Sequence, residues 1–231
     1  QELNRDNSEI LHHVAIPRKL WVADRETTIG QFEQFLNDPR VKKYYEAKPF
    51  SATRKRFATS ADCPQISVRL FDALRYCQWL SEKEGLPESE WCFPGIWDKN
   101  DGEYVLKDDY LGRGGYRPPT EVEFEFLCRG GSSLSRPYGD APELLAAYAW
   151  FAANSRGVAH PVGMLKPNDF GVFDSLGNVN EWCLERSESY RTPRGSILSD
   201  KSERPLPLKG DTWFVIRGGG YASAPSEVRC A

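Results

Sequence analysis

The sequence predicts an α+β fold with few helices, short strands and much irregular loop. Three observations lead there. Helical spacing of apolar residues occurs in three separate stretches, opening near Thr28, Ser67 and Thr120. Elsewhere the apolar runs are of strand length, and beyond Gly130 they are separated by segments rich in Gly, Pro, Asn and Ser. The chain has 231 residues, 40% of them hydrophobic and 13% aromatic, which is enough to bury a substantial core.

Residues 14–23 mix apolar and polar positions as a strand does. Thr28 then opens an amphipathic helix with Phe32, Phe35 and Leu36 on one face, ending between Asn37 and Pro39. The spacing of Leu70, Ala73, Leu74, Cys77 and Leu80 predicts a second helix from Ser67 to the stop at Gly85. Between Trp91 and Tyr110 the turn cluster DKNDG separates two apolar segments and reads as a hairpin. Thr120 and Glu123 match a capping box, and Pro118 and Pro119 block extension backwards, so a third helix runs to about Cys128. Short strands are expected near Val172, near Trp182 and from Trp213 to Arg217. No internal repeat or low-complexity linker interrupts the chain, which reads as one domain over residues 1–231. Without an initial Met, and with an abrupt stop after RCA, it is expected to be a segment of a longer polypeptide.

Composition removes several function classes. The formal net charge is -3, from 30 basic and 33 acidic residues, and the cations are scattered, so nucleic acid is not an expected partner. No window approaches the roughly 20 apolar residues that span a bilayer. The six cysteines are far apart and form no CxxC or Cys/His metal spacing. Cys77 and Cys128 fall on apolar helix faces, as buried free thiols do, which implies a reducing, cytoplasmic compartment. Three histidines, with His12 and His13 adjacent, are too few for an imidazole metal site, and His160 before Pro161 reads as structural. No GxSxG elbow accompanies them. Glu121, Glu123 and Glu125 alternate at a helix start, where they favour the positive dipole end over a paired-carboxylate site. Gly218, Gly219 and Gly220 follow a strand, as glycines in close backbone packing do, and do not open a helix as a phosphate cradle does.

Four segments carry a family resemblance: RPPTEVEFEFLCRGG at 117–131, HPVGMLKPNDFGVFDSLGN at 160–178, GNVNEW at 177–182 and RGGGYASAPSEVRCA at 217–231. In family order, and with matching sequence from about Ala23 onward, they resemble the formylglycine-generating-enzyme or sulfatase-modifying-factor domain. That resemblance implies a C-type-lectin-like fold. It also implies a calcium ion held by the side chains of Asp174 and Glu181 and the main-chain oxygens of Gly177 and Val179, a hard-oxygen donor set of the kind calcium takes. Asn154 and Ser155 match part of a second calcium segment, but the acidic loop is missing, so that site is expected to be absent. The family's oxidases bind Cu(I) through two cysteines in the final segment, and soft thiolates are what Cu(I) selects. Here the first position is Ser223 and the interval 225–228 holds no cysteine, while Cys230 matches the terminal cysteine outside that pair. Copper is therefore not expected. Two further positions depart from the pattern: Gly220 stands at the motif serine and Asn180 at the first motif tryptophan. A sulfoxide-forming branch that uses non-haem iron draws histidines from a helical-bundle domain, which this chain lacks.

The expected function is that of a non-catalytic binding or regulatory module. Asn178, Asn180, Tyr221 and Ser223 are its candidate ligand-binding residues, for a protein, peptide or small molecule. Arg217 and Arg229 are expected to lock loops through carboxylates, as they do in the family. The style of YCQWLSEKEG, HPVGMLKPNDFGVFD and GNVNEWC is similar to family members appended to bacterial serine/threonine protein kinases, so a fused signalling domain is the expected partner. The alternative is a divergent oxidase acting on a peptide or protein in the same cleft.

Overall fold

The computed structural model describes residues 13–46, 54–93, 103–104, 106–186, 197–199, 208–209 and 214–230. The segment DKNDG at 98–102, where a hairpin turn was expected, and His12 and Trp213 lie outside these residues. The described residues form an α+β arrangement: helices α1 (Ile29–Leu36), α2 (Pro39–Glu46), α3 (Arg54–Phe57), α4 (Leu70–Lys83), α5 (Glu121–Arg129) and α6 (Leu145–Tyr148), with strands β1 (His13–Ala15), β2 (Glu103–Tyr104), β3 (Glu181–Arg186), β4 (Ile197–Ser199), β5 (Leu208–Lys209) and β6 (Phe214–Arg217). Strands pair two by two: β1 with β4 in parallel, β2 with β5 and β3 with β6 antiparallel. In the last pair Glu181 faces Arg217 and Trp182 faces Ile216, with a register irregularity before Arg186 meets Phe214.

Local chemistry sets the helix starts. Thr28 caps α1 by accepting from the Gln31 N–H at 3.2 Å, while the Gln31 side chain accepts from the Thr28 N–H at 2.8 Å. Thr120 and Glu123 do the same for α5, at 3.1 and 2.8 Å. Gly130 ends α5 in the left-handed region, φ 56°. α4 differs from its expected start. Ser67 has φ 58° and Arg69 is extended, so the helix begins at Leu70. Nor is only one of its faces buried. Leu70 and Leu74 enter a cluster with Phe93, Leu106, Tyr110 and Leu184, whereas Tyr76 and Trp79 enter another with Phe32, Phe35, Val41 and Tyr45. Between two apolar layers the polar residues of α4 must find partners inside the protein. Asp72 accepts from Tyr45 Oη at 2.6 Å and from Arg69, and Ser81 Oγ donates to Cys77 O and accepts from the Tyr116 N–H. Ala73, Cys77 and Leu80, expected on the buried face, are half-buried.

A third cluster joins α5 and α6 to β3, β6 and the final segment through Phe124, Cys128, Leu176, Cys183, Val215, Val228 and Cys230. Each large apolar side chain buried there contributes about 1.5–3 kcal/mol. Arg136 ties the final segment down by donating to Val228 O at 3.0 Å and Pro225 O at 2.6 Å. Two other expectations are corrected. Of residues 14–23 only β1 is paired as strand, and the chain near Val172 is a turn stapled by Asn168, whose Oδ1 accepts from the Phe170 and Val172 N–H groups. All six cysteines are free thiols. Burial pushes the Cys77 thiol up to about 12 and the Cys92 thiol up to about 11, as expected of inert core cysteines.

Candidate functional site

The site is assembled by the loop that leads into β3. Gly177, φ 77°, donates its N–H to Gly218 O at 2.8 Å, and Asn178, φ 52°, donates its own to Trp150 O at 2.7 Å. Here the left-handed glycine is required, because a Cβ at 177 would lie 2.3 Å from Trp150 O. The Tyr221 N–H donates to Asn178 O at 2.7 Å. Three distant segments, around residues 150, 178 and 220, are thus clamped backbone to backbone.

The Asn178 side chain completes the clamp inward. It is fully buried; its amide donates to Glu26 Oε2 at 2.7 Å and His160 O at 3.1 Å, and its Oδ1 accepts from the His160 N–H at 2.9 Å. Its side-chain oxygen and nitrogen are thus both engaged within the chain. His160 lies parallel to Trp150 with ring centroids 3.8 Å apart and is bonded through Nε2 to Ser155 O, a structural position.

Near the clamp three carboxylates, those of Glu26, Asp174 and Glu181, lie within electrostatic reach of one another. Glu26 is 7% exposed and accepts from the Asn178 amide and, at 3.1 Å, from the Val179 N–H. Burial and the neighbouring Glu181 and Asp174 nevertheless hold its carboxyl well above the usual carboxylate range. Asp174, φ 53° and buried, accepts from the Gly163 N–H at 2.6 Å, and burial raises it too. Burial and then the charge of Asp174 push Glu181 up to about 7. Among the described residues the Glu181 carboxylate has no hydrogen-bond or ion-pair partner. The one guanidinium acting on Asp174, that of Arg25, is itself paired with Asp24 at 3.0 Å. Negative charge without a matching cation among the described residues, in an all-oxygen donor set, is of the kind that a hard divalent cation such as calcium takes. Asp174 and Glu181 and the main-chain oxygens of Gly177 and Val179 would hold it, and its charge would relieve the repulsion. Among the described residues no three His, Cys, Asp or Glu side chains form a preformed metal cage, so main-chain oxygens are essential to this set. Glu26 had no signal in the sequence: it lies in a loop before α1, 152 residues from Asn178.

Above the clamp runs the final segment. Tyr221 is half-buried, stacked near-parallel on Phe57 with centroids 6.1 Å apart, and its carbonyl accepts from Ser155 Oγ at 2.6 Å. Ser223 Oγ accepts from the Gly220 N–H at 3.1 Å, and Ser223 O from the Ala152 N–H at 3.0 Å. The hydroxyl at this position is therefore a turn-forming group. Asn180 is exposed. A Cβ at Gly220 would lie 3.3 Å from its Nδ2, so the two departures from the family pattern face each other. Arg217 donates to Glu121 and locks β6 to the start of α5, the role expected of it. Asn154 and Ser155 spend their side chains on Phe151, Ala149, Gly157 and Tyr221 main-chain groups.

An α+β domain with this clamp belongs to the family whose matching description is sulfatase-modifying factor enzyme 1-like domain; the match spans residues 2–231. A chaperone protein LppX of Paenibacillus barcinonensis is 30% identical over 184 residues, 70% of this chain and 60% of the relative. Serine/threonine-protein kinase pkn1 of Chlamydia pneumoniae is 32% identical over 118 residues, 51% of this chain and 18% of the kinase. A formylglycine-generating enzyme of Mycobacterium tuberculosis is 36% identical over 131 residues, 50% of this chain and 43% of the enzyme. The chain thus spans less than two thirds of each. The solved structure of PvdO from Pseudomonas aeruginosa superposes with a TM-score of 0.65 at 22% identity, covering 99% of this chain and 79% of PvdO. The fold is the C-type-lectin-like fold of this family.

Proposed function

We propose that the chain is a non-catalytic binding module of the sulfatase-modifying-factor family, stabilised by a calcium ion at Asp174, Gly177, Val179 and Glu181. The observation that carries this reading is Ser223, a hydroxyl engaged with the Gly220 N–H where the family's oxidases have a copper-binding thiolate. The segment 217–229 contains no cysteine at all, and a hydroxyl is too hard a donor for Cu(I). Copper does not fit these residues. Asn180, Tyr221 and Ser223 remain as the ligand-facing set, beside the clamp, for a protein or peptide ligand. The similarity to a chaperone supports a protein as that ligand, and the match to less than a fifth of a kinase supports carriage of this domain by a longer signalling polypeptide. Free thiols support a reducing, cytoplasmic setting. No described helix is long and apolar enough to cross a membrane.

The test has two parts. Reduced protein titrated with Cu(I) and supplied with a cysteine-containing peptide under oxygen is expected to yield no stoichiometric copper and no aldehyde. Aldehyde formation would overturn the reading. Calcium is expected to raise the melting temperature, and Asp174→Ala or Glu181→Ala to remove that rise. An unchanged melting temperature on adding EDTA and then calcium would remove the metal assignment.

A further inference from the structure

Away from the clamp, one face formed by the described residues is apolar and exposed among them. Trp21 is 99% exposed, and Val22, Phe126 and Phe170 are 47, 47 and 48% exposed. Phe126 and Phe170 lie with centroids 5.3 Å apart. Beside them opens a groove of about 610 Å³, with Ile16, Leu20, Phe126, Phe170 and Val172 in its walls and Trp21 at its edge. The alternation of exposed and half-buried residues from His13 to Leu20 turns Ile16 and Leu20 inward, and residues 21–25 then run exposed as a ridge. Ridge and groove are thus side by side on one face.

Chemistry narrows what this face receives. The two charged residues of the groove are already engaged, Arg18 with Glu123 and Asp24 with Arg25. The face therefore offers apolar area and no free charge to a partner. A strand edge is not what it offers either, because Pro17 and Lys19 blunt residues 16–20 in the way natural edges avoid pairing. What it offers is a projecting indole and a hollow to receive one. A dry cavity of roughly 150 Å³ holds a benzene ring, so the groove has room for an indole. Side-by-side ridge and hollow make the face complementary to itself under a two-fold rotation, the arrangement of an isologous dimer. The area agrees: a fully exposed indole with two half-exposed phenyl rings presents roughly 450 Å² of side-chain surface. Doubled across a two-fold axis and extended by Val22 and the groove walls, this reaches the ~1,000 Å² that a specific interface needs.

We propose that this face joins two copies of the chain, each seating Trp21 in the groove of the other between Phe126 and Phe170. The interface leaves the clamp and Tyr221 out of its contacts, so dimerisation and ligand binding are separable.

Sedimentation velocity of the purified 231-residue chain over a range of protein concentrations tests it. The expected result is a reversible species of twice the 26.2 kDa chain mass. Trp21→Ser is expected to raise the dissociation constant at least about ten-fold, as loss of a central aromatic anchor does, with Trp21→Phe in between. Because Trp21 is exposed in the single chain, the circular dichroism of Trp21→Ser, and its melting curve at concentrations where both proteins are monomeric, should match those of the original protein. A chain that remains a monomer at the highest concentration overturns the proposal, as does a Trp21→Ser variant that dimerises with unchanged affinity. So does a monomer that uses this face to hold a different protein. None of these outcomes bears on the calcium or copper tests above.

Discussion

At the scale of single residues, Gly177 shows how narrowly the site is drawn. Its φ of 77° and the 2.3 Å approach of Trp150 O to any Cβ leave no L side chain a place. Gly177→Ala is expected to cost about 3 kcal/mol, combining the strained backbone with displacement of the Trp150 main chain, measured as a fall in the urea midpoint. The neighbouring Asn178 invites a different expectation. Asn178→Ala removes the amide that joins Glu26 to His160, so hydrogen exchange should accelerate at both segments, although they are far apart in sequence. Exchange that quickened only next to residue 178 would show the clamp to be local. This is also where sequence reading reached its limit. The run FDSLGNVNEWC suggested Asp174 and Glu181 through the family pattern, and the same pattern drew Asn178 into the ligand set. Whether an asparagine faces outward or inward depends on what comes to meet it. What meets it is Glu26, an acid with no periodic or motif context of its own.

At the scale of elements, α5 owes more to ionic anchoring than its apolar face implies. Glu123 is both the capping acceptor for the Thr120 N–H and the partner of Arg117 and Arg18. Burial would raise its carboxyl, but the bonds to Arg117, the Thr120 N–H and Arg18 overcome that and bring it down to about 2. The sign follows from that direction. A carboxyl depressed in the folded state adds stability that is present in full above its unfolded value of about 4.5 and is lost as pH falls towards about 2. Glu123→Gln should flatten that acid limb. Glu123→Ala, which strands two partly buried guanidiniums, should cost about 3–5 kcal/mol at neutral pH. The capping box of α5 was legible because its signal, Thr120 to Glu123, is four residues long and purely local. The true start of α4 was not, since a positive φ at Ser67 leaves no trace in composition. Its two-sided burial was hidden for another reason: Asp72, Arg75, Gln78 and Ser81 look like a solvent face until Tyr45, Arg69 and Tyr116 arrive from elsewhere.

At the scale of the whole molecule, the fold class was legible because short apolar runs, three helical stretches and abundant turn residues are bulk properties of the chain. The pairing of strands was not, since His13 of β1 meets Ile197 of β4 and Glu103 of β2 meets Lys209 of β5, each pair more than 100 residues apart along the chain. Covering such distances is the work of side chains. Arg18 reaches Glu123 across 105 residues, Cys128 Sγ meets Cys230 Sγ across 102, and Arg136 reaches Val228 across 92. The N-terminal segment is fastened to α5, α5 to the final segment, and the clamp ties Glu26 to both.

That closed circuit of ties has a bearing on how the protein comes into being on a ribosome. Glu26 is synthesised 152 residues before its bond partner Asn178, and the core cluster around Cys128 lacks Cys230 until a further 102 residues have been made. Helices α1 and α4 can nucleate at once through Phe32, Phe35, Tyr76 and Trp79, which are close along the chain. The cluster from α5 onward must wait, with Phe124 and Leu145 uncovered, until Val228 and Cys230 leave the exit tunnel. Nascent chains halted just short of Val228 should therefore be held by chaperones and cut by proteases within α5 and α6, while the α1–α4 unit resists.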